Sequence, residues 1–102
     1  MATNTEVEGK VQVNTDLKEP SFYKFIYMND DVTTYEFVVG SLVQHFEYSF
    51  EQADQLTKDI HENGSATVAV LPFEIAEQKA LEVIAEARES GYPLDIRLKK
   101  ED

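Results

Sequence analysis

The sequence predicts an α+β fold in the order β-α-α-β-α-β, with a three-stranded, mainly antiparallel sheet and three helices packed on one face of it. Two observations carry this. Short aromatic or β-branched runs are separated by longer stretches whose apolar residues recur every third or fourth position. Two of the helical stretches also follow each other without a strand between them, which breaks the repeating βα pattern of a doubly wound parallel sheet.

Each element has its own signature. Phe22 to Met28 is rich in aromatic and β-branched residues and reads as a strand. Thr33 opens a T-x-x-E capping box closed by Glu36. Behind it Val38, Leu42 and Phe46 recur at i, i+4 and i+8 with Val39 and Val43 beside them, one broad apolar helix face. Ser49 and Gln52 form a second box, followed by the stripe Phe50, Ala53, Leu56 and Ile60 and by a left-handed stop at Asn63-Gly64. Ala66 to Leu71 reads as a buried strand. Pro72 suits the first turn of a third helix, carried by Ile75, Ala76, Ala80, Val83, Ile84 and Ala87 and stopped at Gly91. Leu94 to Leu98 alternates as a short last strand.

The chain has 102 residues, enough for one domain. Residues 1–20 are polar, lack aromatics and read as a flexible N-terminal extension, with Pro20 at the boundary of a core spanning 21–102. A weak alternation at Val7, Val11 and Val13 is the one hint of an edge strand there. With 20 acidic and 9 basic residues the net charge is −11, which repels phosphate backbones and disfavours nucleic acid as a partner. The sequence contains no cysteine, so it offers no disulfide, thiol nucleophile or thiolate metal site. The N-terminus lacks the basic and apolar regions of a secretory signal, and no apolar run is long enough to span a bilayer. These features predict a cytoplasmic protein with no membrane partner.

The densest polar feature is Asn29-Asp30-Asp31, where the first strand gives way to the first helix. Such a tripeptide is good turn chemistry, and acidic residues before a helix N-terminus are favourable by up to about 1 kcal/mol. A hard cation would accept the same oxygens, but no calcium-loop pattern surrounds them. A third reading adds His61, next to Ile60 on the apolar edge of the second helix. Carboxylates, an amide and an imidazole beside apolar residues suit an ammonium group attached to a hydrophobic side chain, as at the free N-terminus of a peptide. His45 reads as a solvated helix position. No residues are arranged as a nucleophile with its base, so binding without catalysis is expected.

The segment YKFIYMNDDVTTYEFVVGSLVQHF, the later HENGSA, the run PFEIAEQKA and the closing YPL resemble the ClpS adaptors, the N-degron recognition proteins of the AAA+ Clp proteases of bacteria and plastids. The resemblance covers about residues 21–100. It implies that Asn29, Asp31 and His61 bind the substrate's α-amino group, with Asp30 in a supporting electrostatic role. It implies an apolar pocket lined by Tyr27, Met28, Thr33, Tyr35, Val38, Thr57, Ile60 and Leu94 that accepts a first residue Phe, Tyr, Trp or Leu. Glu74 and Lys79 fall where the family contacts the N-terminal domain of a ClpA- or ClpC-type ATPase, and the N-terminal extension is the segment the ATPase engages. No cofactor or metal and no obligate oligomer is implied, and a plastid-bearing host would place the protein in the stroma.

Three departures stand out. Thr34 occupies a position that is typically Pro, which loosens the helix start while leaving the Thr33 cap. Tyr35 and Thr57 replace methionines, exchanging conformable thioethers for a stiffer ring and a smaller polar group. The amine-binding half thus matches the family while the selectivity half is altered. The alternatives are an acidic protein-interaction module, or a cation-binding regulator using Asp30 and Asp31.

Overall fold

The computed structural model describes residues 21–101; the expected N-terminal extension, residues 1–20, lies outside them. The elements run β1 (Phe22–Met28), α1 (Tyr35–Phe46), α2 (Phe50–Asn63), β2 (Ser65–Pro72), α3 (Phe73–Glu89) and β3 (Asp95–Lys100). This is the predicted α+β order. The sheet order is β2-β1-β3, and β1 pairs antiparallel with both neighbours. A bulge between Phe25 and Ile26 shifts the β1–β2 register, so that Val68 and Ala69 both face the core.

Phe25 and Tyr27 project from β1 into the core and have no exposed surface. Against them pack Val38, Val39 and Leu42 of α1, Ala53 and Ile60 of α2, and Ala76, Ala80, Val83 and Ala87 of α3. Small residues on α3 let that helix approach the sheet closely. Three predicted core positions lie outside this layer: Phe50, Ile75 and Val43 are 67%, 48% and 39% exposed. Each lies at the flank of its stripe, where helical periodicity alone does not say how far the buried face extends.

The second cap forms as predicted. The Ser49 side chain accepts from the Gln52 N–H, and Gln52 returns the bond to the Ser49 N–H. Gly64, at φ 89°, ends α2 in the left-handed region that favours glycine. The first cap differs. Thr34 and not Thr33 is the N-cap of α1, its hydroxyl accepting from the Phe37 N–H at 3.1 Å. Thr33 is held one residue earlier by Asp30, which leaves the cap to its neighbour. The threonine that was expected to loosen the helix start therefore secures it.

Pro72 closes β2 and precedes α3 as its N-cap, outside the helix. The last strand begins after Leu94 and continues to Lys100, because Tyr23 and Lys24 of β1 remain available to pair with Lys100 and Lys99. A charged tail hid that extension in the sequence. Among the described residues, no helix is long and apolar enough to cross a membrane.

Candidate functional site

Immediately after β1 the chain folds around one carboxylate. Asp30 Oδ1 accepts from the N–H groups of Val32 and Thr33 at 2.8 and 2.7 Å, and Oδ2 accepts from the Thr33 hydroxyl at 2.8 Å. This is the Asx-turn chemistry expected of the tripeptide. Burial raises the Asp30 pKa, but the three bonds from Thr33 and Val32, aided by the positive charge of Arg88, outweigh it and hold the carboxyl below its ordinary range. Asp30 thus organises the loop, while Asn29 and Asp31 on either side of Asp30 are exposed.

The loop is tied to the end of α2. The Asn29 N–H donates to the Gly64 carbonyl at 2.9 Å, directly after the ladder pairs Tyr27↔Ala66 and Met28↔Ser65. The Gly64 N–H in turn reaches the Ile60 carbonyl at 3.0 Å. His61, exposed in the last turn of α2, is thereby brought to the same corner as the Asn29–Asp31 loop. Two segments more than thirty residues apart in the chain meet there through backbone bonds that any sequence can make.

The expected apolar lining comes from four elements. Val38 lies on α1, Thr57 and Ile60 on α2, Met28 at the end of β1, and Leu94 just before β3; Met28 is paired with Asp95, the neighbour of Leu94. Val38, Thr57, Ile60 and Leu94 are buried, while Met28 and Thr33 are half-buried. The Thr57 hydroxyl donates to the Ala53 carbonyl at 2.7 Å, so its polar atom is satisfied within its own helix.

Tyr27, also expected in the lining, lies deepest. It has no exposed surface, packs against Phe25 and Phe46, and shares a 2.8 Å hydrogen bond with Ser41. Burial pushes its phenol pKa far up. It packs as a core strut, and its i, i+2 spacing from Phe25 on one face of β1 was the available signal.

Tyr35 stands at the start of α1 and is 39% exposed. Its hydroxyl donates to Asp54 Oδ1 at 2.6 Å and to the Asp54 carbonyl at 3.1 Å. That bond, first among the causes, raises the phenol pKa to about 12. Sequence reasoning did not single out Asp54, although it lies on the same face of α2 as Thr57 and His61, at i, i+3 and i+7.

The other end of α1 is built differently, and the solvated reading of His45 is corrected there. Its side chain is only 8% exposed, with Nε2 at 2.9 Å from Glu86 Oε1 and Nδ1 at 3.6 Å from Glu82 Oε1. The packing of α3 against α1 brings these two carboxylates, one helical turn apart, to the imidazole. The Lys79 ammonium donates to the His45 carbonyl at 2.7 Å, capping α1, and lies 5.4 Å from the centre of the Phe46 ring. A groove of about 340 Å³ opens here, lined by His45, Phe46, Glu47, Tyr48, Ala69, Leu71 and Lys79. Glu74 is exposed in the first turn of α3.

Among the described residues, no three His, Asp or Glu side chains are grouped so as to hold a metal ion. Both oxygens of Asp30 are engaged by its own loop, which weakens the case for a cation held between Asp30 and Asp31.

Comparison with known proteins is consistent across sequence and structure. The family model described as "ATP-dependent Clp protease adaptor protein ClpS" matches residues 18–97. The ClpS adapter of Nitratidesulfovibrio vulgaris is 41% identical over 87 residues, covering 85% of this chain and 84% of the relative. That of Erwinia tasmaniensis is 42% identical over 97 residues, covering 95% and 92%. Among solved structures, Agrobacterium tumefaciens ClpS2 bound to L-phenylalaninamide superposes with a TM-score of 0.79 at 36% identity, covering 81% of this chain and all of that one. This chain therefore belongs to the ClpS family, the non-catalytic adaptor proteins of the ATP-dependent Clp protease.

Proposed function

We propose that the corner between the Asn29–Asp31 loop and the end of α2 binds the protonated α-amino group of a polypeptide's first residue. The adaptor then delivers such N-degron substrates to the AAA+ ATPase of the Clp protease. The observation that supports this reading is the Asn29 N–H to Gly64 carbonyl bond, which ties the exposed loop to the end of the helix that carries His61. Asn29 and Asp31 accept from the ammonium, and His61 accepts through a neutral ring nitrogen. Asp30 acts indirectly, by holding the loop and adding negative charge.

The first side chain enters between α1, α2 and the β1–β3 end, against Met28, Val38, Thr57, Ile60 and Leu94. The bulky residues Phe, Tyr, Trp and Leu have the apolar area such a site rewards. Burying an aromatic side chain removes about 150–250 Å² from water, on the order of 4–6 kcal/mol before the costs of association. The ligand of the Agrobacterium tumefaciens relative supports the reading, since L-phenylalaninamide combines a free α-amino group with a phenyl ring. Glu74 and Lys79 are the ATPase contacts in this scheme, with residues 1–20 as the segment the ATPase engages. The adaptor works as a monomer, in the cytoplasm or in a plastid stroma.

A calorimetric titration with a short Phe-initiated peptide, free and N-acetylated, tests this. Acetylation removes the cation and its donors, each charge-assisted bond being worth roughly 1.5–3 kcal/mol, so affinity falls by about a hundredfold or more. Equal affinity for the two peptides would refute the reading.

A further inference from the structure

We infer that Asp54 is a positioning residue for substrate selectivity, pinning Tyr35 as a fixed bar between α1 and α2 at the side-chain pocket. The inference rests on the proposed function, because it assigns a role within that same pocket.

Tyr35 precedes Val38 by one turn of α1, and Asp54 precedes Thr57 by one turn of α2. Residues at this spacing share a helix face, so the Tyr35–Asp54 bond runs beside the Val38 and Thr57 walls. The phenol is held twice, by the Asp54 carboxylate at 2.6 Å and by its carbonyl at 3.1 Å. The carboxylate is itself steadied from the other side, where Lys58 Nζ lies 4.0 Å from Oδ2. An exposed tyrosine ordinarily swings about its first torsion; here its far end is anchored to a different helix. A ring fixed at both ends cannot conform to each occupant as an unbranched side chain does. It sets one dimension of the opening, and the largest first residue feels that limit most.

The test compares peptides beginning with Trp and with Leu on the full chain and on D54A, D54N and Y35A, each peptide free and acetylated. Loosening the ring in D54A, which keeps only the bond to the carbonyl, and removing it in Y35A raise the affinity for Trp relative to Leu by about tenfold, the order that methylene-sized changes in apolar pockets produce. D54N keeps a side-chain acceptor and stays near the wild-type ratio. All variants retain the preference for the free amine. An ultraviolet difference titration, with the Y35A spectrum subtracted to remove the other four tyrosines, reads the anchor, the Tyr35 value falling from about 12 towards the ordinary 10.0 in D54A. A Trp-to-Leu ratio that is unchanged or lower in D54A, with free-amine preference intact, overturns the inference and leaves the proposed function standing. A phenol titration that does not move in D54A overturns it as well. Wild-type protein that ignores acetylation overturns both.

Discussion

The two histidines sit at opposite ends of one arrangement of helices and have opposite surroundings. His61 closes α2 beside the Asn29–Asp31 loop, exposed, and no described side chain is hydrogen-bonded to it. His45 closes α1 with a side chain 8% exposed and carboxylates of α3 at both ring nitrogens. An imidazole whose nitrogens are already occupied contributes to packing, whereas one facing solvent next to spare acceptors is available to a ligand. The contrast extends to the carboxylates, since Glu82 and Glu86 face another element while Asp30 turns inward on its own loop. Burial and partnership, not residue type, separate a binding group from a structural one.

Substituting the histidines in turn breaks or sharpens that contrast. His61→Ala removes one acceptor for the ammonium, so affinity for a free Phe-peptide falls about 10- to 100-fold. The melting temperature stays within about 2 °C, as for most exposed substitutions. A large drop in thermal stability with unaltered binding would reverse the assignment.

His45→Ala gives the opposite pattern. It removes a nearly buried ring together with its bond to Glu86 and costs about 1–3 kcal/mol, which scanning calorimetry reads as a fall of several degrees. Peptide affinity is retained. Loss of binding without loss of stability in this variant would place a functional group at the wrong end of α1.

The smallest effect comes from the loop. Asp30→Asn retains an acceptor but loses the charge, costing about 0.5–1.5 kcal/mol at neutral pH. Because the folded carboxyl lies below its ordinary 3.8, its contribution is present above that value and is lost as pH falls through the lower folded value. Urea titrations of wild type and D30N therefore differ at pH 7 and converge in acid. A stability difference that persists at the lowest pH would show that charge is not what Asp30 contributes.

Much of this was legible in the chain. The helical stripes, the Ser49 cap, the Gly64 stop and the aromatic strand are local signals, read from periods and turn residues that operate within a few positions. Asn29, Asp31 and His61 could be grouped because their types suit one ligand, and the ladder between β1 and β2 brings them to one corner. The Thr33–Thr34 choice was not legible. Two adjacent threonines both suit a cap, and only the Asp30 carboxylate, by capturing the first, leaves the second to the helix.

The residue pattern by itself determined the α+β class, the element order and the polarity of the Asn29–Asp31 loop, because these depend on local propensity and on side-chain chemistry. Tertiary structure decided which groups were already spoken for. It buried Tyr27 against Ser41, enclosed His45 between Glu82 and Glu86, and joined Tyr35 to Asp54 across 19 residues of sequence. Hydrogen-bond partners and burial are properties of distances in space, and no spacing along the chain specifies them until the helices have packed.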